Sequence, residues 1–94
     1  MEAIYLQLAE LARRHGAQRL VLFGSRARGD NKERSDIDLA VYGMPQKARA
    51  AFWLDAEHLP ALLKLDIVHV HPGMEPKFFE NFEKDGVTLY AAED

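Results

Sequence analysis

The stretch LFGSRARGDNKERSDIDLAV, Leu22 to Val41, decides how the chain is read. An apolar run ends in Gly24-Ser25, four basic residues follow (Arg26, Arg28, Lys32 and Arg34), and Asp36 and Asp38 then stand two apart in a second run with Ile37, Leu39 and Val41. Alternation at period two is the pattern of a half-buried strand: the aliphatic residues face one way, and Asp36, Asp38 and Ala40 the other. Side chains two apart on one strand face have their bases about 6–7 Å apart. Two carboxylates that close repel, and one takes up a proton unless a cation intervenes. A hard divalent cation such as Mg²⁺ takes oxygen ligands, usually one or two carboxylates completed by substrate phosphates.

The residues on either side supply partners for that pair. Arg19 to Phe23 is rich in Leu, Val and Phe and reads as a buried strand stopping at Gly24. A strand that opens a short helix at glycine, here Ser25 to Gly29, presents free backbone N–H groups to an anion, and Ser25 adds a hydroxyl. Arg26 and Arg28 carry the fork suited to phosphate oxygens. Ser25 equally reads as a helix N-cap worth ~1 kcal/mol. Arg26 and Arg28 equally read as surface ion pairs with Asp30 or Glu33, which contribute little. Lys32 and Arg34 read as a solvated loop or as contacts to an acceptor. A P-loop is excluded, because Asp30-Asn31 stands where Lys-Ser/Thr is required.

A third acid lies downstream. Asp66 opens the run Leu65–Val70, a third strand, and its parity puts it opposite the apolar neighbours Leu65 and Ile67. If that strand lies beside the second, Asp66 joins Asp36 and Asp38, and three carboxylates can hold two metal ions about 3.5–4 Å apart, the arrangement that clamps attacking and leaving oxygens in phosphoryl displacement. The alternative is a strand-end carboxylate bonded to backbone N–H groups. A zinc site using His69 and His71 with Asp66 is disfavoured, since His69 has the opposite parity.

The remaining elements follow from periodicity and stops. Ile4, Leu8, Leu11, Ala12 and His15 space a first helix that ends at Gly16. A second helix runs from about Gln46 to His58, with Phe52, Trp53, Ala56 and Leu59 inward, and Pro60 ends it. A third runs from about Glu75 to Asp85 with Phe78, Phe79 and Phe82 inward and Gly86 as its stop, and Val87 to Tyr90 is a short edge strand. Strands alternating with helices imply an α/β fold: a small mixed β-sheet with helices on one face and the site on the other. Tyr5, Tyr42 and Tyr90 carry no catalytic signal.

The 94 residues imply one domain, 1–94, with modest buried surface. A net charge of −3 argues against stable nucleic-acid binding. The absence of cysteine removes disulfides and thiolate zinc sites and fits a reducing compartment. No apolar run suffices for a signal peptide or membrane span, and the expectation is a cytoplasmic protein without membrane association.

With these residues in view, Gly24-Ser25, ten residues, then Asp36-Ile37-Asp38 resembles the G-S-x₁₀-D-x-D signature of the DNA polymerase β-like nucleotidyltransferase superfamily. FGSRARGDNKERSDIDLAV in particular resembles the minimal nucleotidyltransferase (MNT) branch, and the likeness extends from the lead helix to Asp66 and the closing helix and strand. The resemblance implies a nucleotidyltransferase fold, with Asp36, Asp38 and Asp66 as catalytic residues holding two Mg²⁺ ions. It implies Gly24 and Ser25 on the β- and γ-phosphates of ATP, and attack of an acceptor hydroxyl on the α-phosphate with release of pyrophosphate. MNT proteins are often encoded with an all-helical HEPN-type partner, and some act as antitoxins that transfer AMP to a tyrosine of that partner. Similar short chains pair with a helical substrate-binding subunit. The readings implied are therefore a protein adenylyltransferase in a toxin-antitoxin system, a non-catalytic antitoxin that neutralises a helical partner by contact, or the catalytic subunit of a two-subunit small-molecule nucleotidyltransferase.

Overall fold

The computed structural model describes residues 2–59 and 63–93. Helix α1 (Ala3–Arg14) leads into strand β1 (Arg19–Phe23), the short helix α2 (Ser25–Arg28) and strand β2 (Ile37–Tyr42). A 3-10 turn (Gln46–Ala48) opens helix α3 (Arg49–Glu57), followed by β3 (Leu65–His69), α4 (Pro76–Asp85) and β4 (Val87–Ala91). The expected helix stop at Pro60 lies outside the described residues. The four strands form one mixed sheet in the order β3-β2-β1-β4. β1 pairs antiparallel with both β2 and β4, whereas β2 and β3 run parallel. A parallel pair cannot be closed by a hairpin, so the α3 segment serves as the crossover.

Strand alternation divides the core between the two sheet faces. Leu20, Leu22, Ile37, Leu39 and Val41 pack against Leu8, Leu11 and Ala12 of α1 and Phe52 and Ala56 of α3. Burying a side chain such as Phe52 or Leu8, both fully enclosed, contributes about 1.5–3 kcal/mol each. Val21 and Ala40 face the other way and are covered by Phe82 of α4, with Phe23, Tyr42 and Val68 around them.

The expectation of helices on one face therefore holds for α1 and α3, while α4 crosses to the other. It does so because Phe82 fills the gap over Val21 and Ala40, its ring 4.7 Å from that of Phe23 and edge-on to Tyr42 at 6.5 Å. Phe78, expected inward, is 41% exposed, with the Lys77 ammonium 5.5 Å from its ring centre. Trp53, also expected in the core, is 50% exposed. Phe52 and Ala56, four apart, form the buried stripe of α3, and a helix turns roughly 100° per residue, which carries Trp53 out of it. Among the described residues, no helix is long and apolar enough to cross a membrane.

Candidate active site

The site is built at the end of the sheet where β1 stops and β2 and β3 begin. Asp38 and Asp66 are register partners in the parallel β2–β3 ladder. Asp38 shares its face with Ala40, and Asp66 shares its face with Val68, so both stand on the α4 side of the sheet. Asp36 was expected within the strand, but β2 begins at Ile37, whose N–H donates to the carbonyl of Lys64 at 2.9 Å. Asp36 is thus the residue before the ladder, and it is exposed.

Asp66 and Asp36 both act electrostatically on Asp38. Burial, then the charge of Asp66, then that of Asp36 push the Asp38 carboxyl above its ordinary range, and the Arg28 guanidinium partly offsets them. The burial has a visible origin. Asp38 is the register partner of Phe23 across β1–β2, and Phe23 carries the ring of Phe82. An apolar wall on one side and two carboxylates on the other disfavour the ionised form.

Gly24 sits against this carboxylate. Its φ of 75° and ψ of −155° belong to backbone that side chains avoid, and a Cβ built there would run into Oδ2 of Asp38. Gly24, not Ser25, occupies the N-cap position of α2, so the reading of Ser25 as the cap is corrected: the backbone leaves helical geometry one residue earlier. Ser25 is half-buried, and its carbonyl accepts from the N–H groups of Gly29 and Asp30 at 2.9 and 3.1 Å.

The two arginines diverge. Arg28 pairs with Asp30 at 3.1 Å, and its charge reaches Asp38. Arg26 was expected on phosphate together with Arg28, but its guanidinium goes elsewhere. Nε donates to the carbonyl of Ser35 at 2.9 Å, Nη2 to that of Glu33 at 3.0 Å, and Nη1 to the Tyr5 hydroxyl at 3.4 Å. Positions two apart on a helix are roughly 200° apart, so Arg26 turns toward α1 while Arg28 turns to Asp30, with its charge still felt at Asp38. Phe23, Phe82, Tyr5 and Ser35 were not singled out as site residues from the sequence. The only available signal was the i, i+2 spacing of the arginines, which separates side chains on a helix and joins them on a strand.

The donor set of Asp36, Asp38 and Asp66 is oxygen only, which suits a hard divalent cation. Burial first, and the charges of Asp66 and Asp36 after it, disfavour the ionised Asp38, and a cation between them would offset that cost. Among the described residues, no group of three His, Cys, Asp or Glu side chains is drawn together closely enough to hold a metal ion. The acids share a neighbourhood without closing on a common point.

Comparison with known proteins identifies the family and the fold. The sequence matches the family described as Polymerase beta, Nucleotidyltransferase over residues 7–94. No curated protein matches the chain. Among solved structures, one described as a minimal nucleotidyltransferase is 34% identical, with a TM-score of 0.71 over 90% of this chain and 88% of that one. A toxin-antitoxin structure with AMP-PNP superposes at a TM-score of 0.71, with 22% identity over 98% of this chain and 76% of that one. The complex of a tri-AMPylated Shewanella oneidensis HEPN toxin with its MNT antitoxin gives a TM-score of 0.66, with 20% identity over 95% of this chain and 71% of that one. The last two likenesses establish the fold. The family match over nearly the whole length of the chain shows that it belongs to the polymerase β nucleotidyltransferase family.

Proposed function

We propose that the chain is a Mg²⁺-dependent nucleotidyltransferase that moves AMP from ATP to a hydroxyl acceptor, a tyrosine of a HEPN-type partner protein, and so acts as the antitoxin of a pair. The observation that carries this reading is the cross-strand register of Asp38 and Asp66 with Asp36 near enough to act on Asp38. A chain that only bound a partner would have no use for neighbouring acids beside an apolar wall that one arginine only partly offsets.

Asp36, Asp38 and Asp66 would hold Mg²⁺, which when bound neutralises phosphate oxygens and lowers the cost of charge moving onto pyrophosphate. Gly24 and Ser25 would receive the β- and γ-phosphates, since the missing Cβ at Gly24 leaves room directly beside Asp38. Arg28 would meet the same phosphates. In the reaction the acceptor oxygen bonds to the α-phosphorus, the bond to the β-phosphate oxygen breaks, and pyrophosphate leaves. The hydroxyl proton passes to Asp66, which is the exposed member of the cross-strand pair. The partner is inferred from the toxin-antitoxin structures that share the fold.

The experiment combines the chain, its helical genomic neighbour, labelled ATP and Mg²⁺, and follows label on protein by mass spectrometry. Transfer to a partner tyrosine that is lost in Asp38→Asn and in Asp66→Asn supports the proposal. No transfer, with the Asn variants still neutralising the partner fully, overturns it in favour of a contact antitoxin. Transfer to a small-molecule hydroxyl instead identifies a two-subunit small-molecule enzyme.

A further inference from the structure

Asp36 has less to hold it than its two companions. It lies outside the β2 ladder, it is exposed, and it closes a polar loop that runs from Asp30 to Ser35. Asp38 and Asp66, by contrast, are fixed by the backbone pairing of two strands. Ile37 anchors Asp36 on one side, its N–H donating to the Lys64 carbonyl at 2.9 Å, and the loop in front sets it on the other.

Arg26 grips that loop. Two of its nitrogens donate to the carbonyls of Ser35 and Glu33, at 2.9 and 3.0 Å. A planar guanidinium offers its donors in a fixed fork, so two carbonyls held by one fork are held relative to each other. The third nitrogen reaches the Tyr5 hydroxyl at 3.4 Å and ties the assembly to α1. Inside the loop, Ser35 Oγ accepts from the Lys32 N–H at 2.9 Å, and the Ser35 N–H donates to the Lys32 carbonyl at 3.1 Å. The loop is thus a closed turn clamped at its last residue, immediately before Asp36. Arg26 also lines a groove of about 510 Å³ with Tyr5 and Leu22, on the α1 side of the sheet.

We propose that Arg26 is a positioning residue that holds the Asp30–Ser35 loop so that Asp36 stands beside Asp38, acting through the Glu33 and Ser35 carbonyls and not on the nucleotide. The inference rests on the reading of the three acids as a Mg²⁺–nucleotide site. It makes the clamp a property of the metal-free chain, measurable before any ligand is added.

The test uses the full chain and the variants Arg26→Lys, Arg26→Met, Asp36→Asn and Arg26→Met/Asp36→Asn. Amide hydrogen exchange at Lys32 and Ser35 is measured without nucleotide or metal, and Mg²⁺-dependent binding of AMP-PNP is measured by calorimetry. Both Arg26 variants should speed exchange at these amides about tenfold and weaken AMP-PNP binding about tenfold, with lysine failing because it keeps the charge and loses the fork. The double variant should bind no more weakly than Asp36→Asn alone. Unchanged exchange, full binding in Arg26→Lys, or additive losses in the double variant would each overturn the clamp and return Arg26 to direct phosphate contact. Full AMP-PNP binding in Asp36→Asn overturns the reading of the acids instead, and the exchange rates still judge the clamp separately.

Discussion

Phe23 and Asp38 face each other across the antiparallel β1–β2 ladder, and the aromatic residue is the one that Phe82 covers. The carboxylate is therefore built against the second core of the protein, and its chemistry and the packing of α4 are linked.

One outcome is a dependence of stability on pH. Burial first, then Asp66 and Asp36, raise the Asp38 carboxyl above its ordinary 3.8. A carboxyl that binds its proton more tightly in the folded chain favours folding while protonated and loses that advantage as pH climbs from 3.8 through the raised folded value. Asp38→Asn removes the penalty of the ionised form. Thermal unfolding should show the variant more stable than the parent at pH 7 and no more stable at about pH 3. A variant less stable at pH 7 contradicts the account.

Added Mg²⁺ should relieve the same repulsion. A ligand at one hundred times its dissociation constant stabilises the folded state by about 2.7 kcal/mol if it does not bind the unfolded one. The parent chain should therefore gain several degrees in Tm with saturating Mg²⁺, and Asp38→Asn should gain far less. Equal gains in both would place the ion elsewhere.

Gly24→Ala combines two penalties. Its Cβ would meet Oδ2 of Asp38, and alanine would be held at a φ of 75°. Strain of this kind costs on the order of 1–3 kcal/mol, to be read from denaturant midpoints. Because Asp38 must move aside, Mg²⁺-dependent AMP-PNP binding should be lost even where the variant remains folded.

The exposed and buried aromatics should part company. Phe82 is 1% exposed and Trp53 50%. Phe82→Ala should cost about 3–5 kcal/mol and lower the Asp38 carboxyl toward its ordinary value as water reaches Phe23. Trp53→Ala should change the stability of the isolated chain by no more than about 0.5 kcal/mol. Urea unfolding and NMR titration of the Asp38 carboxyl carbon give both readouts.

Arg28→Ala separates charge from fold. Its ion pair with Asp30 is exposed, and such pairs contribute about 0–1 kcal/mol, so unfolding should barely change. The Asp38 carboxyl should rise further, because the Arg28 charge that offsets its neighbours is gone, and nucleotide affinity should fall. An unchanged carboxyl titration would contradict the placement of Arg28.

Much of this site could be read along the chain because its signals are local. Gly24-Ser25, the polar loop and the alternation from Ile37 to Val41 each depend on near neighbours, and the parity of Asp66 was readable within its own strand. Strand order was not legible: nothing local says that β3 docks beside β2 and not at the other edge, so the meeting of Asp66 with Asp38 stayed conditional. The side taken by α4 was equally hidden, since an amphipathic helix declares that it has an apolar face and not which sheet face it meets. Trp53 and Phe78 misled because bulk and apolarity do not report phase around a helix. Arg26 and Arg28 looked equivalent as charges and became distinct only once a helix turned them apart.

The parallel pairing of β2 with β3 has a consequence for how the site is assembled. The β1–β2 ladder brings the Gly24 turn, Asp36 and Asp38 together over a short contour of chain, while Asp66 arrives only after the α3 crossover has closed. Loop closure is entropically dearer over the longer path. A chain ending before β3 therefore carries the glycine turn, Asp36 and Asp38 but lacks Asp66, so the candidate site gains its second strand only when the parallel pairing forms.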